Sequence, residues 1–369
     1  MAKTRVFLTG ASGSMGGEAF KELRRRKDTY DTVILLRPSQ KNRQAFARYK
    51  GEDGLTIIWG DLCSYEDVLK AVTGADAVLH PAALIAPEAD HNPPLCRSIN
   101  CGSIANIIEA IRQQPNGGDN VRLVNIGSVA EYGDRLPPVH MVKVGDPLKP
   151  SVGDFYATTK MAAETAVIES GLKYWASMRQ TYIAIPDALS LMDPIMFHQP
   201  VNTHIELITS EDAGYGLVQT LDAPEEFWGR VYNMGGGPSC RVVFLDYMQH
   251  MMGLFGLGDV TKIMDLNWFA LRNFHCCWYE DSWVLNKYLG HWRHTLEDHY
   301  RQVEAVIPWY FKAGGTIAPS FIVKAVMRRM ADPLKWVRNN EEDKVQAFLG
   351  GREAWEKTVS YTHLTLPTN

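Results

Sequence analysis

Residues 9–16 read TGASGSMG and directly follow the apolar run Val6-Phe7-Leu8. Three glycines therefore stand where a buried strand would turn into a helix. Gly10 permits a tight turn, Gly13 lets backbone N–H groups approach a pyrophosphate, and Gly16 lets the helix pack closely on its strand. The helix N-terminus then favours the phosphate charge. The stretch predicts a dinucleotide-binding loop, although in isolation such glycines also occur in plain turns.

A second pattern lies farther along the chain, where Ser128 precedes Tyr156 and Lys160. The last two are four residues apart, so on a helix they project from the same face. An ammonium group beside a phenol favours the phenolate, so we expect the Tyr156 pKa to fall from about 10 toward working pH. Such a tyrosine can exchange a proton with a carbonyl or alcohol oxygen that Ser128 positions. The plainer alternative for Tyr156 is a half-buried helix aromatic.

Together these patterns resemble the short-chain dehydrogenase/reductase superfamily, and within it the extended members of the NAD-dependent epimerase/dehydratase family. The resemblance spans residues 4–310 and includes three shorter segments: Ser128-Val129-Ala130-Glu131-Tyr132-Gly133, Asp61-Leu62 and His80-Pro81-Ala82-Ala83. It implies that Asp61 and Leu62 contact adenine and that the 80–83 turn lies against the middle of the cofactor.

The same resemblance implies a set of functional residues. The catalytic residues that it implies are Ser128, Tyr156, Lys160 and Asn100, the last supporting Lys160 through the backbone or a water. The cofactor contacts that it implies are Gly10, Ser12, Gly13, Ser14, Met15, Gly16, Arg37, Asp61, Leu62, Pro81, Ala82, Ala83, Tyr156, Lys160 and Pro186.

Short apolar runs alternate with helical patterns, which predicts an α/β fold: a doubly wound parallel-sheet Rossmann domain with a smaller C-terminal substrate-binding lobe. Strands are predicted at 4–9, 32–37, 55–59, 76–80, 121–127, 179–185 and 230–234, and helices at 14–26, 64–73, 97–113, 155–170 and 211–222. We expect the Rossmann domain to span residues 1–185, with the chain returning to it at about 209–235. The lobe is expected at 186–208 and 236–312, and a helical extension at 313–358.

The final residues 359–369 read like the translation of a sequencing adapter. We therefore expect them to be an artefact that takes no part in the fold. The alternative is an ordinary polar tail.

Composition excludes several classes of protein. Hydrophobic residues make up 46% and charged residues 22%, and a net charge of −4 gives no reason to expect nucleic-acid binding. No apolar run approaches about 18 residues and no signal segment precedes the first strand, so we expect a cytoplasmic protein without an integral membrane segment. The six cysteines are scattered without CxxC spacing, which predicts neither a metal site nor disulfides.

Aromatic residues are dense in the predicted lobe and allow two interpretations. They are the wall of an apolar substrate pocket, or they form the core of the lobe. The residues concerned are Trp268, Phe269, Phe274, Trp278, Tyr279, Trp283, Tyr288, Trp292, Trp309 and Tyr310. Farther on, residues 321–330 mix apolar and basic side chains, a pattern compatible with packing on the protein's own body, a membrane surface or a partner subunit.

The end of the second predicted strand bears on the choice of cofactor. Arg37 stands where NAD-preferring sites carry an acidic residue, and Ser39, Lys41 and Arg43 follow it. Because arginine can pair with a 2′-phosphate, NADP(H) is favoured over NAD(H). If Arg37 instead stacks on adenine, NAD would also fit.

Two departures from the family pattern bear on the reaction. Sugar-nucleotide enzymes commonly carry Asn-x-Tyr-Gly-Pro and an arginine where this chain has residues 183–187 and 205–212, and both features are missing. We therefore expect net hydride transfer to or from a carbonyl or secondary alcohol of a small, fairly apolar substrate, similar to the dihydroflavonol-reductase-like and hydroxysteroid-dehydrogenase-like branches. The alternatives are a sugar-nucleotide epimerase or dehydratase and, more remotely, a non-catalytic dinucleotide sensor. The resemblance also implies a homodimer formed through helices 97–113 and 155–170.

Overall fold

The computed structural model describes residues 3–86, 88–187 and 193–361. Strands occur in both halves of this described chain. They are β1 (Thr4–Leu8), β2 (Tyr30–Leu36), β3 (Leu55–Trp59), β4 (Ala77–His80), β5 (Arg122–Ser128), β6 (Met141–Val142), β7 (Tyr174–Gln180), β8 (Tyr182–Ala184), β9 (His204–Thr209), β10 (Arg230–Met234), β11 (Arg241–Val243) and β12 (Trp278–Tyr279).

Helices follow most of the strands and make up most of the chain after residue 244. They are α1 (Ser14–Arg25), α2 (Gln40–Phe46), α3 (Tyr65–Val72), α4 (Glu88–His91), α5 (Pro93–Arg112), α6 (Phe155–Ile168), α7 (Ser210–Gln219), α8 (Phe244–Leu254), α9 (Val260–Ile263), α10 (Ser282–Leu289), α11 (Leu296–Val306), α12 (Trp309–Ile317), α13 (Ser320–Met330), α14 (Asp332–Arg338), α15 (Glu342–Lys344) and α16 (Arg352–Tyr361).

The main sheet has seven parallel strands in the order β3-β2-β1-β4-β5-β7-β10. Val6 of β1 aligns with Thr32 of β2 on one side and with Ala77 of β4 on the other. The strand order reverses between β1 and β4, so the loops after these two strands diverge and leave a crevice at their carboxyl ends. The predicted doubly wound α/β fold is confirmed.

Alternating side chains of each strand build two cores, one on each face of the sheet. Val6 and Leu8 point into the core that α1 and α7 cover, and Phe7 points into the core under α3, α5 and α6. This strict alternation, with both faces buried, explains why the first strands read as continuous apolar runs.

The sixth strand was predicted at 179–185, and that prediction is wrong. The structure places β7 at Tyr174–Gln180 and a separate short strand, β8, after it. The error arises because β7 carries polar residues that are buried: Ser177 and Arg179 both pair with Glu164. From the sequence alone, a charged residue such as arginine indicates an exposed position and not a buried strand. Helix α2 was also not predicted.

The smaller C-terminal lobe contains a three-stranded sheet in the order β11-β9-β8 and the short pair β12-β6. Its core includes Phe197, Met251 and Phe269, and α13 adds Met327 to it. Trp336 of α14 begins a further apolar cluster with Val345 and Leu349. Within the described ranges, no helix combines the length and apolar character needed to span a bilayer. Of the predicted artefact, residues 362–369 lie outside the described residues.

Candidate active site

A cavity of about 750 Å³ opens at the carboxyl ends of β1 and β4 and continues to the smaller lobe. The sheet contributes the glycine loop, the turn after β4 and the end of β5. The lobe contributes β9, α8 and the segment 274–276. The cavity therefore lies at the reversal of strand order, the usual ligand site of open α/β sheets.

The glycine loop has the geometry that a pyrophosphate cradle requires. Gly10 has a positive φ of +62°, and a Cβ on it would lie 3.1 Å from the Ala82 backbone. A Cβ on Gly16 would overlap the Gly10 carbonyl oxygen. In the described structure, the first turn of α1 has no acidic residue and no side-chain cap. Its N–H groups are thus available to an anion, so the residues present fit a dinucleotide.

Two buried side chains join the glycine loop to the turn after β4. The Thr9 hydroxyl accepts a hydrogen bond from the Ala82 N–H at 3.2 Å and lies 2.9 Å from His80 Nδ1. The other ring nitrogen of His80 lies 3.2 Å from the Ser103 hydroxyl. Burial lowers the pKa of His80 to about 3, so the imidazole is neutral at pH 7.

Asn100 of α5 connects the same turn to the helix that carries Tyr156. Its Oδ1 accepts a hydrogen bond from the Leu84 N–H at 2.7 Å, and its Nδ2 donates to the Leu84 carbonyl at 3.0 Å. Nδ2 also lies 2.9 Å from the Thr159 hydroxyl, one residue before Lys160. Asn100 thus holds backbone and helix together, which makes it a positioning residue.

Ser128, Tyr156 and Lys160 all line the cavity. Ser128 ends β5 with its hydroxyl near the Tyr156 phenol, and Tyr156 and Lys160 lie on α6. Burial raises the pKa of Tyr156 above its ordinary value, and the nearby Ser128 hydroxyl opposes this rise. The direction is opposite to the lowering expected from sequence, because desolvation of the phenolate outweighs the favourable contacts.

Buried charges lie beneath this trio. Arg179 of β7 binds Glu164 at 2.6 Å and approaches Glu131 at 3.4 Å. Glu131 also accepts a hydrogen bond from the Ser128 N–H at 2.8 Å, which fixes the backbone at the predicted catalytic serine. Burial and the neighbouring Glu164 raise the pKa of Glu131 to about 8. Burial lowers the pKa of Lys160, and Glu131 and Glu164 oppose that change.

The opposite end of the cavity is lined by residues that follow β2 and β3. Arg37 is exposed at its edge, next to the lining residue Asn42. Asp61 and Leu62 line it as well, and Asp61 Oδ1 accepts a hydrogen bond from the Cys63 N–H at 2.9 Å. Arg43 is a second arginine near this end of the cavity. Its guanidinium carbon lies over the Trp59 ring, 4.8 Å from the ring centroid.

The lobe end of the cavity is mainly apolar, although Gln199 and His275 also line it. The apolar side chains there come from β8, β9, α8 and the loops near them. They are Ile183, Ile185, Ile195, Met196, Ile205, Leu207, Phe244, Tyr247, Met248 and Phe274. The lysine and arginine side chains that line the described part of the cavity are those of Arg37 and Lys160. Both residues are among the predicted cofactor contacts.

One polar pair lies at this apolar end. His275 lines the cavity, and its Nδ1 lies 2.7 Å from Asp154 Oδ2. Asp154 is also the N-cap of α6, since its Oδ1 accepts a hydrogen bond from the Ala157 N–H at 2.8 Å. The same carboxylate therefore holds a lobe histidine and begins the helix of Tyr156.

A comparison with known protein families gives a match over the sheet domain. Residues 6–182 match the model of the NAD dependent epimerase/dehydratase family. Over these residues, just under half of its length, the chain matches the NAD-dependent epimerase/dehydratase family. An uncharacterized epimerase/dehydratase of Staphylococcus aureus strain USA300 is 25% identical over 142 residues, which cover 38% of this chain and 41% of that protein. The match thus spans about two fifths of the length of the curated relative.

Solved structures of epimerases and dehydratases share the fold over a longer stretch. DesIV, a dTDP-glucose 4,6-dehydratase from Streptomyces venezuelae with NAD and TYD bound, superposes with a TM-score of 0.67 at 17% identity, over 86% of this chain and 100% of that one. A UDP-glucuronic acid 4-epimerase from Bacillus cereus in complex with NAD gives 0.63 at 18% identity, over 85% and 100%. At these identities the likeness shows a common architecture.

Most site residues expected of a member of the epimerase/dehydratase family meet in one cavity. The lining contains Gly10, Ser12, Gly13, Ser14, Met15, Gly16, Arg37, Asp61, Leu62, Pro81, Ala82, Ala83, Ser128, Tyr156 and Lys160. The expected contact Pro186 follows Ile185, which lines the cavity, and Asn100 acts through Leu84 and Thr159.

Of the residues at the lobe end, the sequence had indicated Phe274 as one of ten candidates and missed most of the others. Of the ten aromatic residues noted in the sequence, Phe274 lines the cavity, whereas Trp268 and Phe269 lie in the lobe core. The aromatic wall also includes Phe244 and Tyr247, which were not predicted. Helix α8 reads as an ordinary amphipathic helix, and only packing against chain-distant residues decides which face meets the cavity.

Proposed function

We propose that this protein is an NAD(P)-dependent oxidoreductase that transfers a hydride between its cofactor and a carbonyl or secondary alcohol of a small, fairly apolar substrate. The observation that supports the proposal most strongly is the apolar lobe end of the cavity. Phe244, Met248 and Phe274 offer contact area to an apolar molecule. A diphosphate substrate would require cationic partners, and the described lining offers Arg37 and Lys160, both among the predicted cofactor contacts.

The residues of the trio take distinct roles in this proposal. When bound, the nicotinamide supplies or accepts the hydride. Ser128 orients the substrate oxygen by a hydrogen bond, and Tyr156 transfers the proton at that oxygen. Because burial keeps the phenol protonated, Tyr156 is ready to donate a proton during carbonyl reduction. Lys160, one turn after Tyr156 on α6, binds the ribose side of the cofactor.

NADP(H) is the proposed cofactor. Arg37 is exposed at the cavity edge after β2, where it can pair with a 2′-phosphate. The Arg37→Asp variant should reverse the preference, because a carboxylate repels the phosphate and accepts hydrogen bonds from ribose hydroxyls. Dissociation constants for NADPH and NADH, measured by nucleotide fluorescence, check this. Tighter binding of NADH than NADPH by the unaltered protein would contradict it.

The second candidate function is a sugar-nucleotide epimerase or dehydratase. It is favoured by the structural neighbours, whose names are those of such enzymes. Elimination of water needs an acid and a base near the reacting carbons. The carboxylate that lines the described cavity, Asp61, lies at its opposite end, so His275, which pairs with Asp154, is the acid–base candidate at the lobe end besides Tyr156. Calorimetric titration with UDP- and dTDP-sugars separates the two candidates, because the oxidoreductase should show no tight binding of either.

The decisive experiment follows the absorbance of NADPH and NADH with the full chain and a panel of aromatic, aliphatic and steroidal ketones and aldehydes. The Tyr156→Phe variant keeps the ring but loses the proton, so kcat should fall by about a thousandfold or more while cofactor affinity stays within about threefold. Turnover by unaltered protein that survives in Tyr156→Phe would refute the assigned role. Cofactor binding without reduction of any carbonyl would favour the sugar-nucleotide candidate.

Two further properties stay predictions. We propose a homodimer through α5 and α6 and a location in the cytoplasm, as expected from the family resemblance. Sedimentation analysis of the full chain and fractionation of producing cells test them directly.

A further inference from the structure

An exposed apolar patch lies on α12, α13 and the residues just before them. Its members are Val306, Trp309, Tyr310, Phe311, Ile317, Phe321, Ile322 and Val326, and we name it the 306–326 patch. These are eight of the twenty large apolar side chains that are exposed in the described residues, yet they fall within a stretch of 21 residues. Ile317 is 81% exposed, Trp309 80% and Phe321 72%. Such a concentration marks an interaction surface.

Each of the two helices contacts the lobe through residues that do not belong to the patch. On α12, Gly315 lies so close to the Phe255 carbonyl oxygen that a Cβ would overlap it. On α13, Met327 is buried in the lobe core, and Lys324 pairs with Asp265 at 2.6 Å. By helical spacing, Phe321 and Ile322 lie on the side of α13 away from Met327. On α13 the patch therefore projects outward from a packed base, whereas α12 has no buried residue and approaches the lobe most closely at Gly315.

The charge of this region identifies the kind of partner. Between Glu304 and Asp332 the chain has no acidic residue and four basic ones, although the whole chain carries a net charge of −4. The basic residues are Lys312, Lys324, Arg328 and Arg329. Lys312 pairs with Glu304 and Lys324 with Asp265, whereas the described residues provide no ion pair for the exposed Arg328 and Arg329. The partner should thus be anionic.

A bilayer surface matches these features better than a second copy of the chain. Trp309, Ile317 and Phe321 protrude, which suits insertion among lipid headgroups, and aromatic residues flanked by arginine are typical of interfacial helices. A two-fold dimer through this surface would bring Arg328 and Arg329 of both copies into one interface, which adds like charges and no acidic partner from this region. We propose that the 306–326 patch docks on an anionic membrane, with its apolar side chains inserted at the interface and its arginines facing lipid phosphates.

The docking surface is close to the candidate active site. Helix α8 lines the cavity through Phe244, Tyr247 and Met248, and Phe255, which follows its C-terminus, packs under α12. From Met248 to Phe255 the helical rise amounts to about 10 Å. A protein docked in this way would hold the lobe end of its cavity near the bilayer.

Vesicle flotation with the full chain tests the docking proposal. Vesicles of phosphatidylcholine alone are compared with vesicles that also contain phosphatidylglycerol. The protein should float with the anionic vesicles, and added salt should release it. The Trp309→Ser/Phe321→Ser variant should bind about tenfold more weakly, since it loses two inserted aromatic rings. The matched control Trp283→Ser removes an exposed aromatic of α10, outside the patch, and should bind like the unaltered protein.

A charge variant tests the second part of the proposal. Arg328→Glu/Arg329→Glu should lose the preference for anionic vesicles, whereas Lys287→Glu, an exposed change on α10, should keep it. Thermal melting confirms that each variant is folded. Absence of vesicle binding by the unaltered protein at low salt would overturn the proposal. So would a dimer in sedimentation that dissociates in Trp309→Ser/Phe321→Ser without any vesicle binding, because the patch would then join two copies.

Discussion

Gly16 stands where the first turn of α1 passes beside the Gly10 carbonyl oxygen. A Cβ at this position would overlap that oxygen, so Gly16→Ala must push the loop and helix apart. We expect the free energy of unfolding to fall by about 2–3 kcal/mol and NADPH binding to weaken by more than about tenfold. Chemical denaturation and fluorescence titration measure the two effects.

Gly17 provides the matched control for this prediction. A Cβ on Gly17 would meet the Ala11 carbonyl oxygen at 3.5 Å, an ordinary contact. Gly17→Ala should therefore leave NADPH binding unchanged and stabilise the helix by up to about 1 kcal/mol. If both variants lost the same stability and NADPH affinity, the close approach at Gly16 would not be the cause of the loss.

At the scale of elements, α6 depends on its first residues. Asp154 caps the helix through the Ala157 N–H and also holds His275. Asp154→Ala should lower the free energy of unfolding by about 1–2 kcal/mol, because it leaves a helix N–H without its partner. Denaturant titration measures the loss. Asp154→Asn keeps a good capping residue but removes the charge, so it should retain most of the stability. An equally large loss in Asp154→Asn would assign the effect to the histidine pair instead.

Elements of the sheet domain could be predicted where local pattern and burial agree. The run Val6-Phe7-Leu8 and the glycines after it contain the whole signal for β1, its turn and α1. The position of strand β7 was predicted wrongly because its buried polar residues bind a carboxylate of α6. A short stretch of sequence does not reveal such a partner. Phe244 and Tyr247, two members of the aromatic wall of the lobe, were missed for a related reason. Phe244 and Phe274 are distant in the chain, and the cavity between them exists only after the lobe has packed.

At the scale of the whole molecule, the buried charges make stability depend on pH. Burial raises the pKa of Glu131 from its ordinary 4.5 to about 8. In the unfolded chain the carboxyl ionises near pH 4.5, whereas in the folded protein it holds its proton until about pH 8. The contribution of Glu131 to stability is therefore fully present below pH 4.5 and is lost as pH rises toward 8.

The Glu131→Gln variant tests this dependence. It keeps an oxygen that can accept the hydrogen bond from the Ser128 N–H but cannot ionise. We expect the difference in unfolding free energy between the two proteins to change by about 2 kcal/mol or more between pH 4.5 and 8, with the unaltered protein losing more. Denaturant titrations across this range measure it. Glu226→Gln, which alters an exposed carboxylate, serves as control, and parallel pH profiles for all three proteins would disprove the prediction.

The amide of Asn100 has a further consequence for the molecule as a whole. It binds the Leu84 backbone in a loop that lines the cavity, and it also contacts Thr159 beside Lys160. The loop and α6 therefore cannot open independently, because one side chain would lose partners on both. Amide hydrogen exchange should show the two segments opening as a single unit, and a dinucleotide that steadies the loop should slow exchange in α6 as well.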